Sequence, residues 1–258
     1  MRVWERNKAM IQIQPVFNKR TEFEVLAERR GLLFEALELS FDGVSEEKAE
    51  WYRTSGKVHS LHGAFIDVNP GSGDGEIAAL SEKRYVESCE KAIACGAKNV
   101  VFHSTCFPFL RGYYIESWLK KMADFYIRLA GQYPELRFFT ENSFDIDPEP
   151  LKRLMELVKA PNMGICLDIG HINYSRVPLE GWFDALGEYT GYLHLSDNMG
   201  VYDDHMTLGT GTVDWEKASK LSSALKKDTP VTLEISSPEN IAASLDYLSE
   251  NGYFGGVL

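Results

Sequence analysis

Histidines and carboxylates recur near the ends of short apolar runs in this sequence. Five of the six histidines and four acids share this placement. They are His62, His103, Glu141, Asp168, His171, His194, Asp203, His205 and Glu234. Imidazole and carboxylate ligands without paired thiolates suit Zn, Mn, Fe or Co in reactive sites better than a structural zinc site. The residue types therefore predict a divalent-metal centre.

Alternation within the apolar runs indicates which side chains face the same way. Over 231–236, aliphatic residues alternate with polar ones, so Glu234 points away from the aliphatic side. The same alternation sets His62, Asp168 and His194 opposite their neighbouring leucines and isoleucines. Acids and imidazoles that converge in a closed interior are costly without cations, whereas a single buried histidine is usually a hydrogen-bonded core residue. Their convergence favours metal binding.

The elements that must position these residues follow a repeating pattern. Short apolar runs alternate with helix-like stretches about eight times, which is typical of parallel βα units. The predicted strands begin near Met10, Leu33, Val58, Asn99, Arg137, Met163, Gly191 and Pro230. Eight units in 258 residues predict one α/β domain over 1–258, a single (β/α)8 TIM barrel, with a doubly wound open sheet as the alternative. The carboxyl ends of barrel strands form one face, where we expect the nine residues.

Charge limits the class of partner. The formal net charge is −11, with 38 acids against 27 lysines and arginines, and no run is rich in basic residues. Proteins that grip nucleic acid concentrate basic residues on the contacting face. Nucleic acid is therefore an unlikely partner, and a small-molecule substrate is favoured.

Other sequence features bear on the cellular setting. The first residues lack the apolar run of a signal peptide, and no stretch approaches the roughly 18 apolar residues of a membrane span. The four cysteines show no CxxC spacing, which indicates reduced thiols. We therefore predict a cytoplasmic protein with no membrane partner, and a homo-oligomer is compatible with the sequence.

Two smaller motifs have competing interpretations. Gly209-x-Gly211 could be a phosphate loop, but without a following Lys-Ser/Thr pair it favours a turn in which Asp214 caps the next helix. The glycine-rich segment 69–75 is either a lid over the site or a surface turn. Cys106 could reach a metal, although a small buried side chain is the commoner role.

The predicted strand ends also carry a family resemblance. The segments SLHG at 60–63, FHS at 102–104, TEN at 140–142, CLDIGH at 166–171, LHLSD at 193–197 and LE at 233–234 occur in order along the chain. Together they resemble the xylose isomerase-like TIM-barrel superfamily, also called AP endonuclease family 2. This superfamily includes sugar isomerases, ketose 3-epimerases and endonuclease IV. The likeness extends from about Met10 to Tyr253.

The resemblance implies two ligand sets. In the epimerases one divalent ion is held by residues that correspond to Glu141, Asp168, His194 and Glu234. In endonuclease IV a trinuclear zinc site adds residues that correspond to His62, His103, His171, Asp203 and His205. This sequence matches both sets, so the implied cofactor is one to three ions of Zn, Mn, Co or Fe.

Departures from the two patterns separate the possible functions. The loop 41–50 is acidic where endonuclease IV carries basic and aromatic loops, and the 203–205 segment stands where epimerases commonly carry an arginine. We favour a sugar or sugar-phosphate isomerase or epimerase, in which Glu141 and Glu234 transfer protons beside a carbonyl. The alternative is an endonuclease IV-like phosphodiesterase, and non-catalytic metal or sugar binding ranks third.

Overall fold

Eight parallel strands close into a barrel in which each strand pairs with its neighbours in chain order and the first pairs with the last. The computed structural model describes residues 10–37, 46–226 and 228–255. The strands are β1 (Ile11–Ile13), β2 (Leu33–Leu37), β3 (Val58–His62), β4 (Asn99–His103), β5 (Arg137–Glu141), β6 (Met163–Asp168), β7 (Thr190–Leu195) and β8 (Val231–Leu233). Each begins within one residue of its predicted start. The predicted (β/α)8 TIM barrel is confirmed.

Helices surround the barrel and connect successive strands. They are α1 (Arg20–Arg30), α2 (Glu46–Ser55), α3 (Gly75–Cys95), α4 (Tyr113–Gln132), α5 (Glu149–Val158), α6 (Ile169–Asn173), α7 (Leu179–Leu186), α8 (Trp215–Ser222) and α9 (Pro238–Glu250). Two short 3-10 helices lie at Phe17–Lys19 and Tyr253–Gly255. Side-chain caps fix several helix starts, since Asp74, Asp214 and Ser237 each accept a backbone N–H of the first turn.

The strand side chains divide between two apolar regions, as the alternation predicts. Outward residues such as Leu167 and Leu193 pack with the helices in the main core. A separate cluster fills the lumen and consists of Val101, Phe139, Cys166 and Tyr192. Because successive strand residues point to opposite faces, the residue two places beyond each member of this cluster also faces the lumen, nearer the carboxyl end. The lumen cluster therefore forms the floor on which the candidate site rests.

Two further expectations concern the surface and the thiols. In the part of the chain that the structure describes, no helix combines the length and apolarity that crossing a bilayer requires. The cysteines form no disulfide among the described residues. Of the predicted acidic loop, 41–45 lies outside the described residues, and 46–50 begins α2.

Candidate metal centre

The ends of the last four strands bring together one buried group of four residues. Glu141 and Asp168 end β5 and β6, His194 lies one residue before the end of β7, and Glu234 follows β8. One potential ligand atom from each lies within 4.8 Å of the others. His194 Nδ1 is 3.3 Å from Glu141 Oε2 and 3.2 Å from Glu234 Oε1. We call this set the four-residue group.

A second group shares Glu141 with the first. His62 and His103 end β3 and β4, and β4 lies between β3 and β5 in the barrel. Their Nε2 atoms lie 3.4 and 3.8 Å from Glu141 Oε2. Their potential ligand atoms also lie within 4.8 Å of one another. One carboxylate thus adjoins two possible cation positions.

The third group comes from loops rather than strands. His171 lies in α6 just after β6, and Asp203 and His205 lie in the loop after β7. Asp203 Oδ2 is 3.2 Å from His171 Nε2 and 2.9 Å from His205 Nε2. The structure thus brings all nine predicted residues into three adjoining groups on one face. Their role as metal ligands remains a prediction.

Backbone contacts fix the orientation of three site histidines. His62 Nδ1 is 3.1 Å from the carbonyl of Gly63, and His171 Nδ1 is 2.6 Å from that of Asn142. His205 Nδ1 is 2.7 Å from the carbonyl of Glu234. A carbonyl only accepts, so Nδ1 carries the proton, and in the neutral ring Nε2 presents a lone pair to a carboxylate. Two acceptors that face each other require a proton or a cation between them.

Unpartnered buried atoms test whether the site fits a metal. Both carboxylate oxygens of Glu141, Oδ2 of Asp168 and Nδ1 of His194 are buried without a hydrogen-bond partner among the described residues. Such atoms are costly in a folded interior unless an ion or water satisfies them. All of these atoms belong to the four-residue group. The residues present therefore fit a divalent cation.

Burial and neighbouring charges shift the pKa values of the acids and imidazoles in the site. Burial alone would raise the pKa of Glu141, but the neighbouring His194 imidazole holds it well below the usual value. Burial raises the pKa of Asp168 to about 7, opposed by His171 and reinforced by Glu141. Burial lowers the pKa of His103 to about 3, so its ring is neutral, as a ligand must be.

Asp168 and Asn142 tie β5, β6 and α6 together. Asp168 Oδ1 accepts the backbone N–H of His171 as the N-cap of α6, which leaves Oδ2 toward the four-residue group. The Asn142 side chain bonds both the N–H and the carbonyl of Asp168. The DIGH sequence at 168–171 therefore places two potential ligands through one helix cap.

Asp197 anchors the loop that carries Asp203 and His205. Its carboxylate accepts the backbone N–H groups of Asn198, Gly209 and Val213 and the indole N–H of Trp215. Two glycines are needed here, because a Cβ on Gly211 would lie 2.2 Å from Asp197 Oδ1 and one on Gly209 would lie 2.5 Å from the Tyr247 ring. Asp214 caps α8, which confirms the predicted turn.

Glu35 is a lumen residue that the sequence interpretation missed. It is fully buried, and its Oε2 lies 3.2 Å from His194 Nε2. Phe34 and Ala36 on either side belong to the main core. The alternation that located Glu234 would therefore also have located Glu35.

Aromatic side chains surround the mouth of the site. Every exposed Phe or Tyr of the described residues lies in a loop or helix start after β4, β5 or β7. They are Phe107, Phe109, Tyr113, Tyr114, Phe144 and Tyr202. The guanidinium of Arg176 lies 5.0 Å from the centre of the Phe109 ring. The mouth therefore combines flat apolar faces with few cations.

Two other candidate features make contacts that favour structural roles. Cys106 is buried, and its thiol contacts the carbonyl of Phe107. The segment 69–75 is held against α4, since Lys121 donates to the Ser72 carbonyl and Gly71 packs on Trp118. These contacts favour a fixed turn over a lid.

Comparison with known proteins identifies the family. The model of the xylose isomerase-like TIM barrel family matches residues 23–251. The chain belongs to this family, which confirms the resemblance inferred from the strand ends.

Solved structures share the fold over nearly the whole chain. A Thermus thermophilus protein in a structure soaked with ZnCl2 is 26% identical, with a TM-score of 0.75 over 93% of this chain and 96% of that one. A D-tagatose 3-epimerase-like protein is 20% identical, with a TM-score of 0.74 over 93% and 96%. Endonuclease IV from Thermus thermophilus is 22% identical, with a TM-score of 0.66 over 93% and 99%. The fold therefore occurs with more than one chemistry.

Proposed function

We propose that the protein is a metal-dependent phosphodiesterase that acts on small substrates. The observation that carries this proposal is the third group, in which His171 and His205 contact one oxygen of Asp203 beside the four-residue group. The four-residue group alone corresponds to the single-ion set of the epimerases. A single-ion reaction would not use the third group, or the pair His62 and His103, as metal ligands.

The three groups suit chemistry at phosphorus. Divalent ions held by them would polarise phosphoryl oxygens and lower the pKa of bound water. Glu141 belongs to both the four-residue group and the second group, so its carboxylate could contribute to cation binding in each. The Nδ1 contacts of His62, His171 and His205 hold their rings in place, so little rearrangement is needed when a phosphate group binds.

Charge around the mouth favours a small ester over duplex DNA. In the described stretches that follow β3 to β8 at the mouth, 63–74, 104–112, 142–148, 174–178, 196–214 and 234–237, Arg111 and Arg176 are the only lysine or arginine residues. Binding of a long polyanion draws on many phosphate contacts. A small phosphodiester needs few.

A sugar or sugar-phosphate isomerase or epimerase is the second candidate. The observation that favours it is the placement of Glu141 and Glu234, which contact His194 Nδ1 from β5 and from the end of β8. Two carboxylates that enter one group from different strands could take and return a proton on opposite sides of a bound ketose. Under this candidate Asp203 is dispensable for the chemistry.

A pair of neighbouring variants separates the two candidates. Asp203→Asn removes the negative charge of the third group and replaces one carboxylate oxygen with an NH2 donor. Asp204→Asn makes the same change to an exposed carboxylate one residue away that belongs to no ligand group of the described residues. Each protein would be loaded with Zn, Mn, Co or Fe and given bis(p-nitrophenyl) phosphate, dinucleotides and abasic duplex DNA. We expect cleavage of small diesters that falls by at least about 100-fold in Asp203→Asn and is unchanged in Asp204→Asn.

The same proteins would be incubated with ketoses and ketose phosphates in heavy water. Exchange of the proton beside the carbonyl, retained in Asp203→Asn and accompanied by no diester cleavage, would replace the proposal with the isomerase. Fast nicking of abasic DNA in preference to small diesters would contradict the proposed substrate size.

A further inference from the structure

Glu35 lies directly beneath the four-residue group on the lumen side of β2. Its Oε2 accepts hydrogen bonds from the hydroxyls of Tyr192 and Thr232, the latter at 2.8 Å, and lies 3.2 Å from His194 Nε2. Its Oε1 accepts a hydrogen bond from Gln14 at 2.8 Å. Both oxygens of this fully buried carboxylate are therefore engaged by donors from other strands and loops.

The ring of His194 is oriented in the opposite sense to the rings of His62, His171 and His205. In those three rings Nδ1 contacts a backbone carbonyl and Nε2 faces a carboxylate. In His194, Nε2 faces Glu35, and Nδ1 faces Glu141 and Glu234. No backbone carbonyl contacts its ring among the described hydrogen bonds, so the Glu35 carboxylate takes the place of the carbonyl.

We propose that Glu35 is a positioning residue that holds His194 with its proton on Nε2, so that the Nδ1 lone pair faces the four-residue group. A carboxylate that accepts the outer N–H of a ligating imidazole fixes its tautomer and makes the other nitrogen a stronger ligand. The inference rests on the metal-binding part of the proposed function and is independent of the reaction that follows.

Gln14 extends the effect of Glu35 to a second ligand. Its side-chain amide donates to Oε1 of Glu35 and also to Oε1 of Glu234. One buried carboxylate thus orients His194 directly and Glu234 through a single amide. A glutamine side chain in place of Glu35 has one oxygen acceptor and one NH2 donor. It therefore could not accept hydrogen bonds from both Gln14 and His194 with the two atoms that replace the carboxylate oxygens.

Nitrogen NMR of the zinc-loaded wild-type protein tests the orientation without any variant. With 15N-histidine labelling, we expect His194 to bind zinc through Nδ1 and to retain a slowly exchanging proton on Nε2. His62, His171 and His205 should bind through Nε2. Zinc attachment through Nε2 of His194 would overturn the inference, as would failure of the wild-type protein to bind zinc.

Affinity measurements test the contribution of Glu35. Zinc competition against a chromophoric chelator should show 10- to 100-fold weaker binding in Glu35→Gln. Asp145→Asn is the matched control, because Asp145 is also a buried carboxylate but accepts from Ser104 and Ser143 rather than from an imidazole. Its zinc affinity should stay within about threefold of wild type. Equal affinity in wild type and Glu35→Gln would overturn the inference, whereas zinc binding as expected without diester cleavage would overturn only the proposed reaction.

Discussion

Glu141 contributes to two of the three ligand groups, and its two oxygens are surrounded by imidazoles. Nitrogens of His62, His171 and His194 lie 3.3 to 3.4 Å from its carboxylate. None of these contacts is a hydrogen bond of good geometry, since both oxygens remain without a partner. A cation between these side chains would satisfy atoms that direct pairing leaves without a partner.

Asp145 shows how burial acts on an acid just outside the site. It is buried, and this raises its pKa to about 6 despite hydrogen bonds from Ser104 and Ser143 that oppose the shift. Because the pKa of Asp145 is raised by folding, the contribution of its protonated carboxyl to the free energy of unfolding is fully present below about pH 4. This contribution is lost as pH rises through about 6. The neutral Asp145→Asn side chain has no such dependence.

We therefore expect the stability of wild type relative to Asp145→Asn to fall as pH rises. Between pH 4 and 7 the difference in free energy of unfolding should change by about 2 kcal/mol in favour of the variant. Urea unfolding of both proteins in chelator measures it. Parallel stability curves over this range would contradict the assignment of a raised pKa to Asp145.

The loop 196–214 is the element that completes the candidate site. Its anchor Asp197 bonds both ends of the loop, and an isolated bridge joins Asp197 to Met206. His205 has a φ of 46°, and a positive φ is uncommon for residues other than glycine. Such conformations persist where the surroundings enforce them, often at functional sites. The loop therefore holds His205 in a conformation set by its anchors.

Gly211→Ala should displace this loop. The added Cβ would lie 2.2 Å from Asp197 Oδ1 and 2.3 Å from the Asn198 carbonyl, so the anchor must move. We expect one fewer bound zinc per chain by elemental analysis and a loss of about 1–3 kcal/mol of stability. Gly73→Ala is the control, since a Cβ there meets nothing within 4 Å. Its zinc content and its stability should match those of wild type. Unchanged zinc content in Gly211→Ala would contradict the link between this loop and the third group.

Closure of the barrel brings ionisable side chains from most of its strands together in and beside the lumen. Strands β2 to β8 each place at least one acid or imidazole in or beside the lumen, while the helices and the outer strand faces supply the apolar core. Buried like charges and facing acceptors oppose folding unless cations offset them. The stability of the protein should therefore depend on divalent metal.

Zinc in excess should stabilise the folded protein. At 100 times the dissociation constant, one site contributes about 2.7 kcal/mol, which for a chain of this size raises Tm by roughly 5–10 °C. Differential scanning fluorimetry after chelation and re-addition of Zn, Mn, Co or Fe measures the shift. Magnesium serves as the control, because it prefers oxygen ligands and should shift Tm little. A Tm that none of the metals changes would argue against the centre.

Much of the site could be predicted from local sequence because strand alternation has a period of two. Each lumen residue lies two places from another and opposite an aliphatic neighbour, as with Asp168 after Cys166 and His194 after Tyr192. The carboxyl ends of parallel strands then meet on one face whatever the loops do. The barrel, its strands and the six candidate residues at the strand ends follow from these two rules, whereas His171, Asp203 and His205 lie in segments that follow β6 and β7.

Only the folded structure shows how the nine residues form three groups and which side chains hold them in place. The sharing of Glu141 by two groups depends on the register of β3, β4 and β5, which no single segment encodes. The direction of His194 depends on Glu35, which is 159 residues away in sequence. The position of Asp203 and His205 depends on the path of a loop that Asp197 and two glycines hold. Contacts between distant segments set these features, because hydrogen bonds across the lumen form only once the barrel has closed.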